Sequence, residues 1–271
     1  MKSQLKKFLA VMLCILSVSF VQAHIFTKMC CKFVTMFAQG AEFKLEKVAP
    51  TADQAPFFEK VSMYAEQLSN KLQIKKPVLH LYTCKQTDVP AKTNMEYNLM
   101  ATYDTDSDGK IQGVIYIGSS LVDRWRDGWL TDQEMEAFVA HEMCHLLYWH
   151  PLKCGLMNIL IDGPGLFKRI TIPFIGPKPL MKNAYARRKE KEADLKAITL
   201  IESPKSLATG LLKMQCLGHY NPQTKAGFDL LYDSALFAAK NHQSGFYEHL
   251  VELLSDHPLT ENRVEYIEKN Q

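Results

Sequence analysis

Residues 130–150 read LTDQEMEAFVAHEMCHLLYWH, and within them His141-Glu142-Met143-Cys144-His145 forms an H-E-x-x-H pattern. Residues four apart on an α-helix lie about 40° apart around its axis, so both imidazoles leave the same side. Two histidines so placed can grip one zinc ion, with the intervening Glu142 beside a water at the metal. The helix is specified locally. Thr131 is a good N-cap, Glu134 three residues on completes a capping box, and Asp132 and Glu134 suit the positive end of the helix dipole. Met135, Phe138, Val139, Met143, Leu146 and Leu147 recur at helical spacing, and no proline follows until Pro151. By itself the motif also fits a buried helix carrying two structural histidines; a third ligand separates the two readings.

Downstream, residues 182–201 (KNAYARRKEKEADLKAITLI) read as a second helix on which Glu190 and Asp194, four apart, share a face. A catalytic zinc takes three protein ligands and keeps one position open, and Glu190 can supply the third from a helix packed on the first. Glu192 points about 200° away from Glu190 and reads as solvated. Further helices are expected over 204–216 and 228–240, and Ser255-Asp256-His257-Pro258 opens a last one running to about Lys269. Between the two principal helices, residues 152–182 are apolar but broken by Gly163-Pro164-Gly165, Pro173 and Gly176-Pro177. They read either as a loop-rich excursion over the site or against a membrane surface, or as a buried hydrophobic hairpin. Asp162, Lys168 and Arg169 argue against a membrane-spanning helix there.

Upstream, 51–72 carries a helical apolar stripe, and 78–82, 96–103 and 110–117 read as strands. Asp104, Asp106, Asp108 and Gly109 imitate the start of a calcium loop. Its twelfth position should be Glu and is Ile115, so a hairpin turn is expected. Residues 112–118 lead directly to the zinc helix. Their edge could receive an extended peptide lying across the metal; an ordinary interior strand is the alternative.

At the start, a basic segment holding Lys2, Lys6 and Lys7 precedes the apolar run FLAVMLCILSVSFV (8–21), and Val21-Gln22-Ala23 offers a small-residue cleavage site. Residues 1–23 therefore read as a secretory signal peptide, with an uncleaved signal anchor as the competing reading. Residues 24–37 read as an amphipathic segment, and 24–271 as one domain. Those three lysines account for the whole net charge of +3, which leaves no electrostatic case for nucleic acid. With 47% hydrophobic and 23% charged residues the chain is expected to pack a core rather than stay disordered. Beyond Cys14, the cysteines at 30, 31, 84, 144, 154 and 216 permit disulfides in an exported protein, but spacing does not reveal connectivity.

H-E-x-x-H followed by Arg187-x-x-Glu190-x-x-x-Asp194 and by the late element Asp256-His257-Pro258-Leu259-Thr260-Glu261-Asn262-Arg263 resembles the HtpX-like zinc metallopeptidases, metallopeptidase family 48. That family also holds the CAAX prenyl endopeptidases and Oma-type mitochondrial proteases. The resemblance runs from about Thr51 to Glu268. It implies one Zn2+ per chain on His141, His145 and Glu190, with Glu142 as general base. Asp194 would hold a ligand histidine, His257 would stabilise the oxyanion or fill the fourth metal position, and Arg263 would orient the acidic residues. Where the family often has Gly before the second histidine, this chain has Cys144; it reads as a small buried residue at a close helix contact, or as a thiol crowding the site. His80, His150, His219, His242 and His249 have no partner pattern and read as structural or exposed.

The expected fold is α+β and mainly helical: a zincin-like peptidase domain with a small sheet whose edge strand precedes the H-E-x-x-H helix. The expected activity is a zinc endopeptidase, periplasmic or secreted, cutting unfolded or damaged exported or membrane-associated protein. A zinc-binding chaperone-like or assembly factor with weak or self-inhibited peptidase activity is the alternative. Partners are then a polypeptide and, peripherally, a membrane; the sequence carries no sign of oligomeric state.

Overall fold

The structure, a computed structural model, describes residues 45–84, 97–162, 178–220, 222–241 and 260–270. The signal-peptide reading of 1–23, the amphipathic reading of 24–37 and His257 lie outside the described residues. The elements are β1 (Leu45–Val48), α1 (Ala55–Leu72), β2 (Val78–Cys84), β3 (Leu99–Thr105), β4 (Ile111–Gly118), α2 (Ser119–Arg126) and α3 (Asp132–Leu147). They continue with α4 (His150–Asp162), α5 (Lys178–Ala197), α6 (Lys205–Tyr220), α7 (Lys225–Lys240) and α8 (Thr260–Lys269). The fold is α+β and mainly helical.

α3 forms where its local sequence directs it. The Thr131 hydroxyl accepts from the Glu134 backbone N–H at 3.2 Å, and the Glu134 carboxylate accepts from the Thr131 N–H at 2.8 Å, completing the capping box. Glu134 is also held by Thr209 at 3.0 Å and Lys213 at 2.9 Å, which ties the helix start to α6. Met135, Ala137, Phe138, Val139, Ala140, Met143 and Cys144 are all buried. A helix apolar on nearly all sides belongs in the interior, and α3 lies against α1, α5, α6 and β3. Burying each large side chain contributes roughly 1.5–3 kcal/mol.

The four strands form one sheet in the order β1-β2-β4-β3; β2 and β4 are parallel, and the outer pairs are antiparallel. The predicted turn joins β3 and β4: Asp106 Oδ1 accepts from the N–H groups of Asp108 and Lys110 at 3.1 and 2.7 Å, and Gly109 supplies the positive φ of 70°. The Asp106 carboxylate thus organises a turn. The strand leading into α2 and α3 is not the edge. β4 is paired on both sides because its parallel pairing with β2 adds to the hairpin, and among the described residues the sheet edge beside α3 is β3.

α3 ends at a backbone feature that no simple helix pattern signals. Trp149 has φ 58°, in the left-handed region, and α4 starts at the next residue. A bulky side chain there costs about 1–3 kcal/mol. The Trp149 ring stacks on Tyr103 of β3 at 5.0 Å and 12° between planes, and the Tyr103 hydroxyl donates to the Leu146 carbonyl at 2.5 Å. Those contacts hold the turn. Residues 152–182, expected to be loop-rich, are helical at both described ends: α4 runs through Asp162 and α5 begins at Lys178, with Pro179 in its first turn. Among the described residues no helix is long and apolar enough to cross a membrane.

Candidate metal centre and active site

α3 and α5 pack side by side and present His141, His145 and Glu190 to one another. His141 Nε2 and His145 Nε2 are 3.0 Å apart, and Glu190 places one carboxylate oxygen 3.5 Å from the first and the other 3.3 Å from the second. Ligands about 2.0–2.1 Å from a tetrahedral ion stand roughly 3.3 Å from each other. Two imidazole nitrogens and a carboxylate at these spacings, enclosed and converging, fit one divalent cation. Among the described residues this is the cluster of metal-ligating groups able to do so.

Behind His141 sits Asp194, fully buried one turn beyond Glu190. Its Oδ1 lies 2.8 Å from His141 Nδ1, close but off the line of an ideal hydrogen bond. Arg263 from α8 donates to both Asp194 oxygens, Nε at 2.8 Å and Nη2 at 2.7 Å, and reaches within 3.6 Å of Glu190. Tyr266 also donates to Asp194. Burial alone would raise the Asp194 carboxyl; Arg263 and His141 outweigh it and hold the group well below its ordinary value. Burial alone would lower His141, but facing carboxylates raise it to about 10. Among the described residues no carboxylate stands directly behind His145, and burial together with the neighbouring His141 charge pushes it down to about 3. One imidazole is therefore charge-compensated and the other is kept neutral.

Glu142 stands on the cavity side. Its carboxylate accepts from the Ala101 backbone N–H, on the outer edge of β3, at 2.6 Å. Burial raises it to about 7, with His141 opposing and Glu190 reinforcing the shift. A cavity of about 650 Å³ opens here, lined by Leu99, Met100 and Ala101 of β3 and by Phe138, Leu207, Leu211 and Met214.

Two assignments made from sequence change. His150, read as structural or exposed, is buried against the site: its Nδ1 is 2.9 Å from His145 Nδ1. Glu192, read as solvated, is only half exposed; it takes Lys189 at 2.7 Å and lies 3.3 Å from His150 Nε2. No spacing rule relates His150 to the motif, because the chain turns between them. Cys144 is fully buried near Asp194 and Lys196 of α5, its thiol pushed up to about 12 by burial. It is a small core residue, and small Ala193 and Ala197, also fully buried, are on α5. Cys144, Cys154 and Cys216 are free thiols.

Residues 73–271 match the model of peptidase family M48. Over 165 residues the chain is 27% identical to a protein named Protease HtpX homolog from Sulfurovum sp. (strain NBC37-1). That alignment covers 51% of this chain and 56% of the relative, so the chain spans little more than half the length of the curated relative it matches. The matched region runs from the end of α1 through α8 and contains every residue of the centre described above. The chain belongs to peptidase family M48, the HtpX-like metallopeptidases.

Proposed function

We propose that this chain is a zinc-dependent endopeptidase that holds one zinc ion on His141, His145 and Glu190 and cleaves unfolded or damaged polypeptides. The observation that carries the reading is the triangle of Nε2, Nε2 and carboxylate oxygens at 3.0–3.5 Å with Glu142 beside it. Two histidines and a glutamate are a known catalytic zinc set, one that in enzymes of that type leaves a fourth position for water or substrate. Zinc, when bound, lowers the pKa of a water molecule and polarises the scissile carbonyl. Glu142 takes a proton from the attacking water and passes it to the departing amine; a carboxyl displaced toward neutrality suits both transfers. Asp194, pinned by Arg263 and Tyr266, keeps His141 oriented. An extended segment pairs along the outer edge of β3, where Ala101 already offers an N–H to the site. Such pairing requires an unfolded stretch, which supports the substrate class.

His257 stabilises the oxyanion in this reading. Its support is the motif and its position just before α8, the helix that brings Arg263 to the centre. Residues 1–23 act as a signal peptide or anchor, which makes the enzyme exported and its substrates exported or membrane-associated. The relative carrying a protease name supports the activity. The test compares wild type with Glu142→Gln for bound zinc and for digestion of a permanently unfolded protein. Wild type should cleave and the variant should keep zinc but lose cleavage. A zinc-loaded wild type as inert as Glu142→Gln on a panel of unfolded substrates would favour the chaperone-like alternative.

A further inference from the structure

We propose that His150 is a positioning residue for the metal site: it accepts a hydrogen bond from Nδ1–H of His145 and holds that ring with its Nε2 lone pair toward the metal. The inference rests on the metal-site reading and goes beyond it by adding a residue outside the H-E-x-x-H and glutamate motifs.

The proton count fixes the roles. His145 Nε2 belongs to the triangle with His141 Nε2 and Glu190, so a neutral His145 carries its proton on Nδ1. The atom facing that proton is His150 Nδ1 at 2.9 Å, which must accept. His150 then carries its own proton on Nε2, which lies 3.3 Å from Glu192 Oε2, off the line of a direct hydrogen bond but close to a carboxylate. Lys189 Nζ donates to the same Glu192 oxygen at 2.7 Å. Donation thus runs from His145 to His150 and on toward the Glu192 carboxylate, which also accepts from Lys189. The reversed assignment would put the His145 proton on Nε2, where it would block the metal position.

The two ligand histidines are therefore supported differently. His141 is backed by a carboxylate, and His145 by a neutral ring whose carboxylate stands one residue further away. Metal-bound histidines generally have such a partner, and losing it weakens metal binding about 10–100-fold. His150 reaches His145 because the left-handed residue Trp149, φ 58°, breaks the helix between α3 and α4, and the stack on Tyr103 holds that turn.

The experiment measures zinc affinity of the full-length protein by competition with a chromogenic chelator, for wild type, His150→Phe and His150→Asn. Phenylalanine keeps a ring without an acceptor; asparagine places its carbonyl oxygen near the lost Nδ1. His150→Phe should bind zinc about 10–100-fold more weakly, and His150→Asn should recover to within a few-fold of wild type. Wild-type affinity in His150→Phe, or an Asn variant as weak as Phe, overturns the proposal and leaves the metal site standing. A wild type that binds no zinc overturns both. Nitrogen-15 histidine spectra of zinc-loaded wild type decide the point without any variant. They should show His145 bound through Nε2 with a proton on Nδ1, and His150 with a bare Nδ1; a proton on His150 Nδ1 overturns the assignment.

Discussion

Arg263 and Asp194 form a buried two-pronged pair, Nε and Nη2 each donating to a different carboxylate oxygen at 2.8 and 2.7 Å, with both residues withdrawn from solvent. The pair links α8 to α5 directly behind His141. Removing one member of a buried ion pair leaves the other uncompensated, at a cost of about 3–5 kcal/mol. Arg263→Ala should therefore destabilise the metal-free protein by about that amount in urea denaturation. The sign of its pH dependence follows from Asp194. Its folded-state pKa lies below the ordinary 3.8, so its contribution is complete above 3.8 and is lost as pH falls through the lower folded value. Asp194→Asn should erase that acid-sensitive component; an unchanged slope below pH 3.8 would exclude it.

In the proposed mechanism Glu142 gives the activity its acid limb. The base works only when ionised, burial raises it from 4.5 to about 7, and a nearby cation draws it back down. The kcat/KM profile on an unfolded substrate should rise with pH through an apparent pKa between those two values. A profile flat down to pH 4, or rising only above pH 8, would remove Glu142 from the role of base.

Metal removal should lower thermal stability, since a ligand bound only by the native state stabilises it. At free zinc a hundredfold above its Kd the gain is about 2.7 kcal/mol. Melting with and without a strong chelator checks this, and Glu190→Ala should abolish the zinc-dependent shift. A zinc-dependent shift preserved in Glu190→Ala would reject Glu190 as a ligand.

Ala101→Pro isolates the β3 edge. The Ala101 N–H points to Glu142 and not into the sheet, so proline removes no ladder bond at this edge position. One charge-assisted hydrogen bond is worth roughly 1.5–3 kcal/mol. Activity should fall about 10–100-fold, and the melting temperature by several degrees, with the fold kept. Unimpaired turnover in the folded variant would show that the edge N–H is not used.

Gly210→Ala tests the α3–α6 contact. A Cβ at this helical glycine would meet the Phe138 ring at 2.7 and 2.8 Å. The intrinsic helix gain of about 1 kcal/mol is set against overpacking of about 1–3 kcal/mol, so modest net destabilisation is expected. Because Phe138 also lines the active-site cavity, KM should change more than kcat. A stabilised variant with unaltered kinetics would show that the ring moves aside freely.

Much of this centre was legible because its determinants are local. The Thr131–Glu134 capping box lies within one turn, and the spacing of His141 to His145 and of Glu190 to Asp194 is fixed by helical geometry. The Asp106 segment was legible as a hairpin turn because its Asp and Gly residues set the turn locally. The resemblance to HtpX-like peptidases joined the two helices before any contact between them was visible.

What the chain alone could not decide depended on long-range contacts. Residues 112–118 read equally as edge or interior, and only the parallel pairing of β2 with β4 made β3 the edge beside Glu142. His150 is the sharpest case. On a continuous helix a residue five beyond His145 points about 140° away from it, so spacing argues against contact. The left-handed turn at Trp149, held by Tyr103 from β3, brings His150 onto the ligand ring. The sequence by itself determined the helices and the residues they present on each face, because those obey nearest-neighbour rules. The tertiary structure decided which edge is open and which side chain stands behind each ligand, because those follow from packing between segments far apart in the chain.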